Sequence, residues 1–554
     1  MKQIVQAASG GPVRLIDVPR PTIGPTEVLV QTVSSVISAG TERAVTALAQ
    51  SSLLAKARAR PDLVRQVVKK ARTQGIGPTA RAVRTRLADD IPLGYSAAGI
   101  AVEVGEYVAG VTPGQLVATG GAGKANHAEY QAVPGLLCVA VPDGVSAEDG
   151  AFATIASIAL HGLRLADVGP GAKVVVIGLG LVGQLAVRLA QASGCQVAGV
   201  DLADFAVERA AAAGALALLE SGDATTDAVL EWSRGRGADA VILTAAGSGS
   251  DAVMRAPALC RDRANVVVVG DVGLHLDRTP FYDKELSLRF ARSYGPGRYE
   301  RAYEDWAVDY PPGHVRWTEG RNLEAVVDLL AAERLRVADL VTHRFDIADG
   351  PAAYQLMESR AEPYLGVALA YRAAPSAEQP IRTTAPDPVP GELGLGLIGA
   401  GAFASSVLVP ACKAAGFRRF VSVTSASGLS ARRLAERAGF EKAVSGAHAV
   451  IDDPEVDVVV IATPHDTHAA LAARALRAGK HVFCEKPLAL SMEELDDVEE
   501  AWRESDRVLF VGFNRRWSDP VRLVREHFAE GKGPLVISYR VNAGTLPEDH
   551  WYHD

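Results

Sequence analysis

Lys173-Val174-Val175-Val176-Ile177-Gly178-Leu179-Gly180-Leu181-Val182-Gly183 is the stretch whose reading decides the fold. Its first five residues, four of them β-branched, predict a buried strand. Three glycines at GxGxxG spacing follow at once, and Gln184–Ala192 reads as the helix they open. In a dinucleotide site such glycines permit a tight turn and let backbone approach the pyrophosphate, which then rests on the helix N-terminus. A second apolar strand, Gln196–Val200, ends in Asp201, where an acid for the adenosine ribose hydroxyls belongs. Asp201 would also repel a 2′-phosphate. NAD(H) is therefore the cofactor expected here, held by Gly178, Gly180, Gly183 and Asp201.

The pattern recurs further on, with differences. Leu395-Gly396-Leu397-Ile398 precedes Gly399-Ala400-Gly401-Ala402-Phe403-Ala404, with alanine at the third glycine position. Its second strand, Phe420–Thr424, ends on Ser425 rather than an acid, with Ser427, Arg432 and Arg433 following. Without a carboxylate a 2′-phosphate is not repelled, so NAD or NADP is allowed at this second site. Gly399, Gly401, Ala404 and Ser425 are its expected binding residues.

Around these fingerprints, 554 residues predict about three or four domains. Apolar residues at 48% and charged residues at 22% are ordinary for a globular protein. A net charge of −8 argues against a nucleic-acid partner. No apolar run approaches the roughly 20 residues of a membrane span. The N-terminus carries no signal-peptide core, and the five cysteines are scattered without a CxxC pair, so a cytoplasmic protein is expected.

Residues 373–391, rich in Pro and small polar residues, predict an extended, mobile linker. Before it, residues 1–130 read as short strands, and residues 172–270 alternate strands with Ala-rich helices, the pattern of a parallel sheet. Residues 47–90 read as a broken, strongly basic helical insertion. It is either a solvated face or a lid or dimer contact that attracts an anionic substrate. Residues 293–299 and 315–322 are dense in polar and aromatic groups, which suits either a sugar-like ligand or a polar surface loop.

With Pro92–Gly99, Gly114–Val117, His127–Tyr130 and Leu340–Phe345 added, residues 1 to about 372 resemble the medium-chain dehydrogenase/reductase family. The resemblance implies an α/β chain: a GroES-like β-rich catalytic domain over 1–150, a nested Rossmann domain over 151–290, and a return to the catalytic domain over about 291–372. The departures concern metal. Ala39-Gly40-Thr41-Glu42 stands where zinc members carry Cys-Gly-Thr-Asp, and Gly94-Tyr95-Ser96 where they carry Gly-His-Glu. No cysteine lies between Gly150 and Gly178, and the four-cysteine lobe is missing, so no zinc is expected. A side chain must then take the hydroxyl proton, and Tyr95, Glu42, His127 and His161 are the candidates by position.

The second unit carries Val458–His468 and then Ala478-Gly479-Lys480-His481-Val482-Phe483-Cys484-Glu485-Lys486-Pro487. These segments resemble the Gfo/Idh/MocA oxidoreductases over residues 393 to about 520. The resemblance implies a second Rossmann domain over 392–520 and a catalytic lysine, Lys486, which contacts nicotinamide ribose and substrate hydroxyl, with Glu485 and Pro487 fixing the turn. His465 departs from the usual asparagine. Residues 521–554 read as the start of an incomplete substrate domain, with Leu535–Val541 as its first strand; His550 and His553 are left unassigned. The implied function is hydride transfer to or from a hydroxyl or keto carbon of a sugar, nucleotide sugar or cyclitol. The alternatives are an enoyl/quinone-type reductase, or a dehydrogenase whose C-terminal half binds nucleotide without catalysis. A small carbohydrate-like substrate is the expected partner, neither nucleic acid nor membrane is, and a homo-oligomer is left open.

Overall fold

The computed structural model describes residues 1–38, 89–359, 361–372, 380–383 and 391–529, with scattered single residues across 40–87 and 533–540. The chain divides into two compact units: Met1–Val18 with Ile23–Ala377, and Pro19–Thr22 with Glu378–Asp554.

In the first unit, the apolar strands assemble into a six-stranded parallel sheet. Its order is Leu216–Leu219, Gln196–Asp201, Lys173–Ile177, Ala238–Leu243, Cys260–Val268, Ser287–Phe290. Val174, Val175 and Val176 are fully buried, which explains an unbroken apolar run where a half-exposed strand would alternate. The helix Leu181–Ala192 starts three residues earlier than its sequence reading and buries Leu181 and Gly183–Ala190.

Lys2–Ala7, Arg14–Asp17 and Asp90–Pro92 form a small antiparallel sheet, and the other early strands join a seven-stranded, mostly antiparallel one. Glu27–Ser38 lies at its centre, pairing with Ser96–Val104, Tyr130–Pro134 and Gly366–Ala370. Val341–Asp346 and Gly366–Ala370 come from far along the chain, so the parallel sheet is nested inside this β-rich body. The α/β class expected from the sequence is what the chain adopts. The basic stretch 47–90 lies mostly outside the described residues.

The second unit is a sheet in the order Ile381–Arg382, Phe440–Ala443, Arg419–Thr424, Gly394–Ile398, Val458–Ile461, His481–Glu485, Leu509–Gly512. All pairs are parallel except the first. Two expectations need correction here. Residues 373–391 are not linker throughout: Ile381 and Arg382 pair antiparallel with Ala443 and Lys442, because an edge position asks only for a short β-branched segment. Nor do the described residues of Leu535–Val541 form a strand: Val536 and Ile537 are exposed and in no ladder, as a strand without a partner has no bonds to make. Leu535, Tyr539, Val541, His550 and His553 lie outside the described residues.

Candidate functional site

In the first unit a cavity of about 880 Å³ opens at the carboxyl ends of the parallel strands. Gly178 turns there at φ 94°, and a Cβ on it would strike the backbone of Ala245. A Cβ on Gly183 would strike the Gly178 carbonyl, so only glycine lets the helix sit this close to the turn. Beside Gly180, at the helix N-terminus and on the cavity wall, a Cβ would meet nothing within 4 Å. That open space at a helix start has the character a pyrophosphate needs.

Asp201 also lines the cavity. One oxygen accepts from the Leu179 N–H at 2.5 Å and the other from the Ala203 N–H at 2.9 Å. Each carboxylate oxygen keeps a lone pair for a further donor. The fingerprint and its acid thus meet in one place, 22 residues apart in sequence.

Two groups in this cavity escaped the sequence reading. Thr244 donates its hydroxyl to the Gly178 carbonyl and pins the turn. Arg255, from the helix Asp251–Leu259, lies 3.4 Å from Glu220, and its buried Nε and Nη2 have no hydrogen-bond partner. No local pattern marks either residue, since both reach the site only through the order of the strands.

The four proton-acceptor candidates have different surroundings. Glu42 and His127 are buried together: His127 Nε2 lies 3.3 Å from Glu42, and its Nδ1 lies 2.7 Å from the Ser35 hydroxyl. Ser35 also meets the Tyr371 hydroxyl at 2.7 Å, and Tyr354 donates to the other Glu42 oxygen. Glu42 accepts the N–H of Ser38, which lines the cavity with Gly40. Burial first, then the Glu42 charge, pushes the Tyr354 phenol well up, so it stays a donor. Tyr95 is buried in the core. His161 is half-buried on the helix Ala153–Ala166, and burial with the Arg164 charge pulls its pKa down.

Among the described residues no three His, Cys, Asp or Glu side chains stand close enough to share a metal ion. Glu42 and His127 are hydrogen-bonded to each other, His127 also to Ser35 and Glu42 also to Tyr354. Ala39 and Thr41 lie outside the described residues.

The polar, aromatic segments 293–299 and 315–322 are mixed, with Tyr299 and Arg316 exposed. Tyr294, Tyr303, Arg298, Glu319 and Asn322 are all buried. Arg298 pairs with Glu304, Tyr303 donates to Thr318 at 3.0 Å, and Asn322 donates to the Tyr294 carbonyl at 2.8 Å. The Glu319 carboxylate is buried beside the Tyr294 hydroxyl. Burial, with the Glu304 charge next, raises the Glu319 carboxyl to about 8.

In the second unit Gly399 turns at φ 104°, and a Cβ on it would strike the Ala462 carbonyl. Beside Gly401 there is open space, whereas Ala404 is buried in the core and starts a π-helical turn, Ala404–Leu408. Ser425 hydrogen-bonds the Ser427 carbonyl at 2.7 Å and the Ser430 hydroxyl at 2.6 Å, and Arg432 bonds Glu436 on its own helix.

Lys486 follows the strand His481–Glu485 and is joined to Pro487 by a cis peptide. Glu485 is buried and accepts from Asn514 at 3.2 Å. His468, fully buried, places Nδ1 2.7 Å from the Pro487 carbonyl and Nε2 3.0 Å from the Thr463 carbonyl. It therefore ties the lysine turn to the end of the strand Val458–Ile461, a role the sequence reading missed. Burial, then the Lys486 charge, lowers the pKa of His465.

Residues 393–513 match the family model "Oxidoreductase family, NAD-binding Rossmann fold", and residues 182–308 match "Zinc-binding dehydrogenase". Among curated proteins, the chain is 40% identical over 124 residues to levoglucosan dehydrogenase of Pseudarthrobacter phenanthrenivorans, covering 22% of this chain and 31% of that one. It is 36% identical over 153 residues to 1,5-anhydro-D-fructose reductase of Ensifer adhaerens, covering 27% and 46%. The chain thus spans less than half the length of these curated relatives. Among solved structures, galactitol-1-phosphate dehydrogenase from Escherichia coli aligns with 67% of this chain and 100% of its own, at 21% identity and TM-score 0.51, which shows the fold. The chain thus joins a unit with the fold seen in galactitol-1-phosphate dehydrogenase to a Rossmann unit whose residues 393–513 match the Gfo/Idh/MocA model.

Proposed function

We propose that the chain is an NAD(P)-dependent oxidoreductase acting on a hydroxyl or carbonyl carbon of a sugar, nucleotide sugar or cyclitol. The observation that carries this reading is the first-unit cavity, where Gly178, Gly180 and Asp201 share one wall. When bound, the dinucleotide supplies the hydride acceptor or donor. Asp201 holds the adenosine ribose and selects NAD(H), and the space beside Gly180 takes the pyrophosphate. Behind Ser38, Glu42 with His127 takes the proton that an alcohol releases on oxidation, in place of a metal.

In the second unit Lys486 steadies the developing alkoxide, with His465 beside it held neutral at pH 7 by burial and by the lysine's own charge. This second site takes NAD or NADP, since Ser425 carries no charge to repel a 2′-phosphate. That both 1,5-anhydro-D-fructose reductase and levoglucosan dehydrogenase are among the relatives of the chain supports a carbohydrate-like substrate.

The test is NADH formation from a panel of polyols by the whole chain, alongside binding of NAD(H) and NADP(H). Asp201→Ala should weaken NAD(H) binding at the first site about tenfold or more, the scale of a lost charge-assisted hydrogen bond. Equal affinity of that site for NAD(H) and NADP(H) in the unaltered chain would overturn the role of Asp201. Glu42→Gln should lower kcat while leaving cofactor affinity unchanged; an unaltered kcat would remove Glu42 from the proton path.

A further inference from the structure

We propose that Glu220 and Arg255 form a second determinant of cofactor choice at the first site: Arg255 is a latent anchor for a 2′-phosphate, and Glu220 keeps it from serving as one. The inference rests on the dinucleotide reading of the first-unit cavity and adds to Asp201 a pair that no local sequence pattern marks.

The placement comes from two neighbouring strand ends. Asp201 closes the strand Gln196–Asp201, and its carbonyl accepts the Glu220 N–H at 2.8 Å. Glu220 follows the adjacent parallel strand, Leu216–Leu219, and so stands alongside Asp201 at the roughly 5 Å spacing of paired strands. Arg255 comes from the helix Asp251–Leu259, and its Nη2 lies 3.4 Å from Glu220 Oε1. Asp201, Glu220 and Arg255 all line the cofactor cavity. An adenosine ribose whose hydroxyls bond Asp201 brings its 2′ position to this pair.

Arg255 is loosely held. Its other carboxylate neighbour, Asp223, is fully exposed and lies 3.9 Å from Nη1. Both distances exceed the roughly 2.7–2.9 Å of a charge-assisted hydrogen bond. By contrast, Arg188 grips Asp339 with two bonds of 2.6 and 2.7 Å, and Arg344 grips Glu148 with two of 2.9 and 2.7 Å. Arg255 Nε is buried and has no hydrogen-bond partner. Glu220 is anchored instead by its own turn, where Oε1 accepts the Gly222 N–H at 2.8 Å. A fork-shaped donor held this loosely matches the oxygens of a phosphate better than one distant carboxylate oxygen.

Charge explains why the unaltered pair excludes what Arg255 could bind. Among the described residues, Asp201, Glu220, Asp251 and Asp271 bring four carboxylates to the cavity wall, against Arg255 as its one cation. With side chains only 23% and 25% exposed, Arg255 and Glu220 are screened less than a surface pair. A 2′-phosphate entering here meets the charges of Asp201 and Glu220 together. Making Glu220 neutral removes one repulsion and releases Arg255 in the same step, so both effects favour NADP.

The experiment is equilibrium dialysis of the whole chain against NADP and, in a parallel arm, against NAD. Glu220→Gln keeps the oxygen that accepts the Gly222 N–H, so the turn is retained. It should raise the first site's affinity for NADP about tenfold, bring bound NADP from one equivalent towards two, and leave NAD bound. Glu220→Gln combined with Arg255→Gln should lose that gain. Glu220→Gln combined with Gly183→Val should lose it too, which places the gain in the first site. NADP binding unchanged by Glu220→Gln overturns the pair. So does a gain that survives Arg255→Gln, because removal of a charge alone would then explain it. Loss of NAD in Glu220→Gln also overturns it, since Glu220 would then hold the cavity itself. The dinucleotide reading fails separately: NAD bound equally by the unaltered chain and by Gly183→Val would leave no cofactor in the first cavity. NAD bound there, with NADP unmoved by Glu220→Gln, removes this pair alone.

Discussion

Glu319 shows what a single buried group does to this protein's pH response. Its carboxyl is raised from 4.5 to about 8 by burial and by Glu304, so the folded chain binds a proton there that the unfolded chain releases above its ordinary pKa. Stability from this residue is therefore full below about pH 4.5 and is lost as pH climbs towards 8, by up to about 1.4 kcal/mol for each pH unit crossed. Glu319→Gln should melt at the same temperature as the parent at pH 4.5 and at a higher one at pH 8.5. Identical melting at both values would show that Glu319 is charged in the fold. His468 is the counterpart in the second unit. A neutral imidazole carries one N–H, yet both its nitrogens face carbonyl oxygens. His468→Leu should leave the carbonyl that its N–H serves unpaired and destabilise the second unit by about 1–3 kcal/mol. Thermal unfolding followed by calorimetry checks this, and an unchanged transition would mean water takes the place of the ring.

At the scale of elements, the helix Leu181–Ala192 is held to its strand by contact rather than by propensity. Gly183→Val puts a branched side chain against the Gly178 carbonyl, where no space exists. The helix must then back away from the turn and widen the cradle, at a cost of about 1–3 kcal/mol or more. Dinucleotide binding at the first site should be lost while the second site keeps its own. This part of the molecule was legible in sequence because strand, turn and acid are local, and each leaves a pattern within about 30 residues. Ile381–Arg382 was not, because its ladder partner lies about 60 residues away in a stretch whose prolines read as linker. Tyr294, Arg298 and Glu319 misled for a similar reason. Their polarity reads as surface, and only the surrounding core reveals that they are buried. Arg255 and His468 were invisible because their partners are fixed by strand order and not by spacing.

For the whole molecule the question is how many dinucleotides one chain holds. Both fingerprints have the same construction: a glycine at positive φ pressed against a neighbouring strand end, and open space beside the next glycine. They differ at the ribose end, where Asp201 offers a carboxylate and Ser425 a hydroxyl already bonded to Ser427 and Ser430. Equilibrium dialysis of the whole chain against NAD should therefore approach two equivalents. NADP should approach one if, as proposed, Asp201 repels its 2′-phosphate from the first site. Gly183→Val should bring NAD to one equivalent and leave NADP unchanged, since each ligand then has only the second site. If NADP instead fell with NAD in that variant, the 2′-phosphate would be entering the first site, and selectivity would have to come from a group other than Asp201. Arg255, which lines the same cavity 3.4 Å from Glu220, would then be the residue to replace.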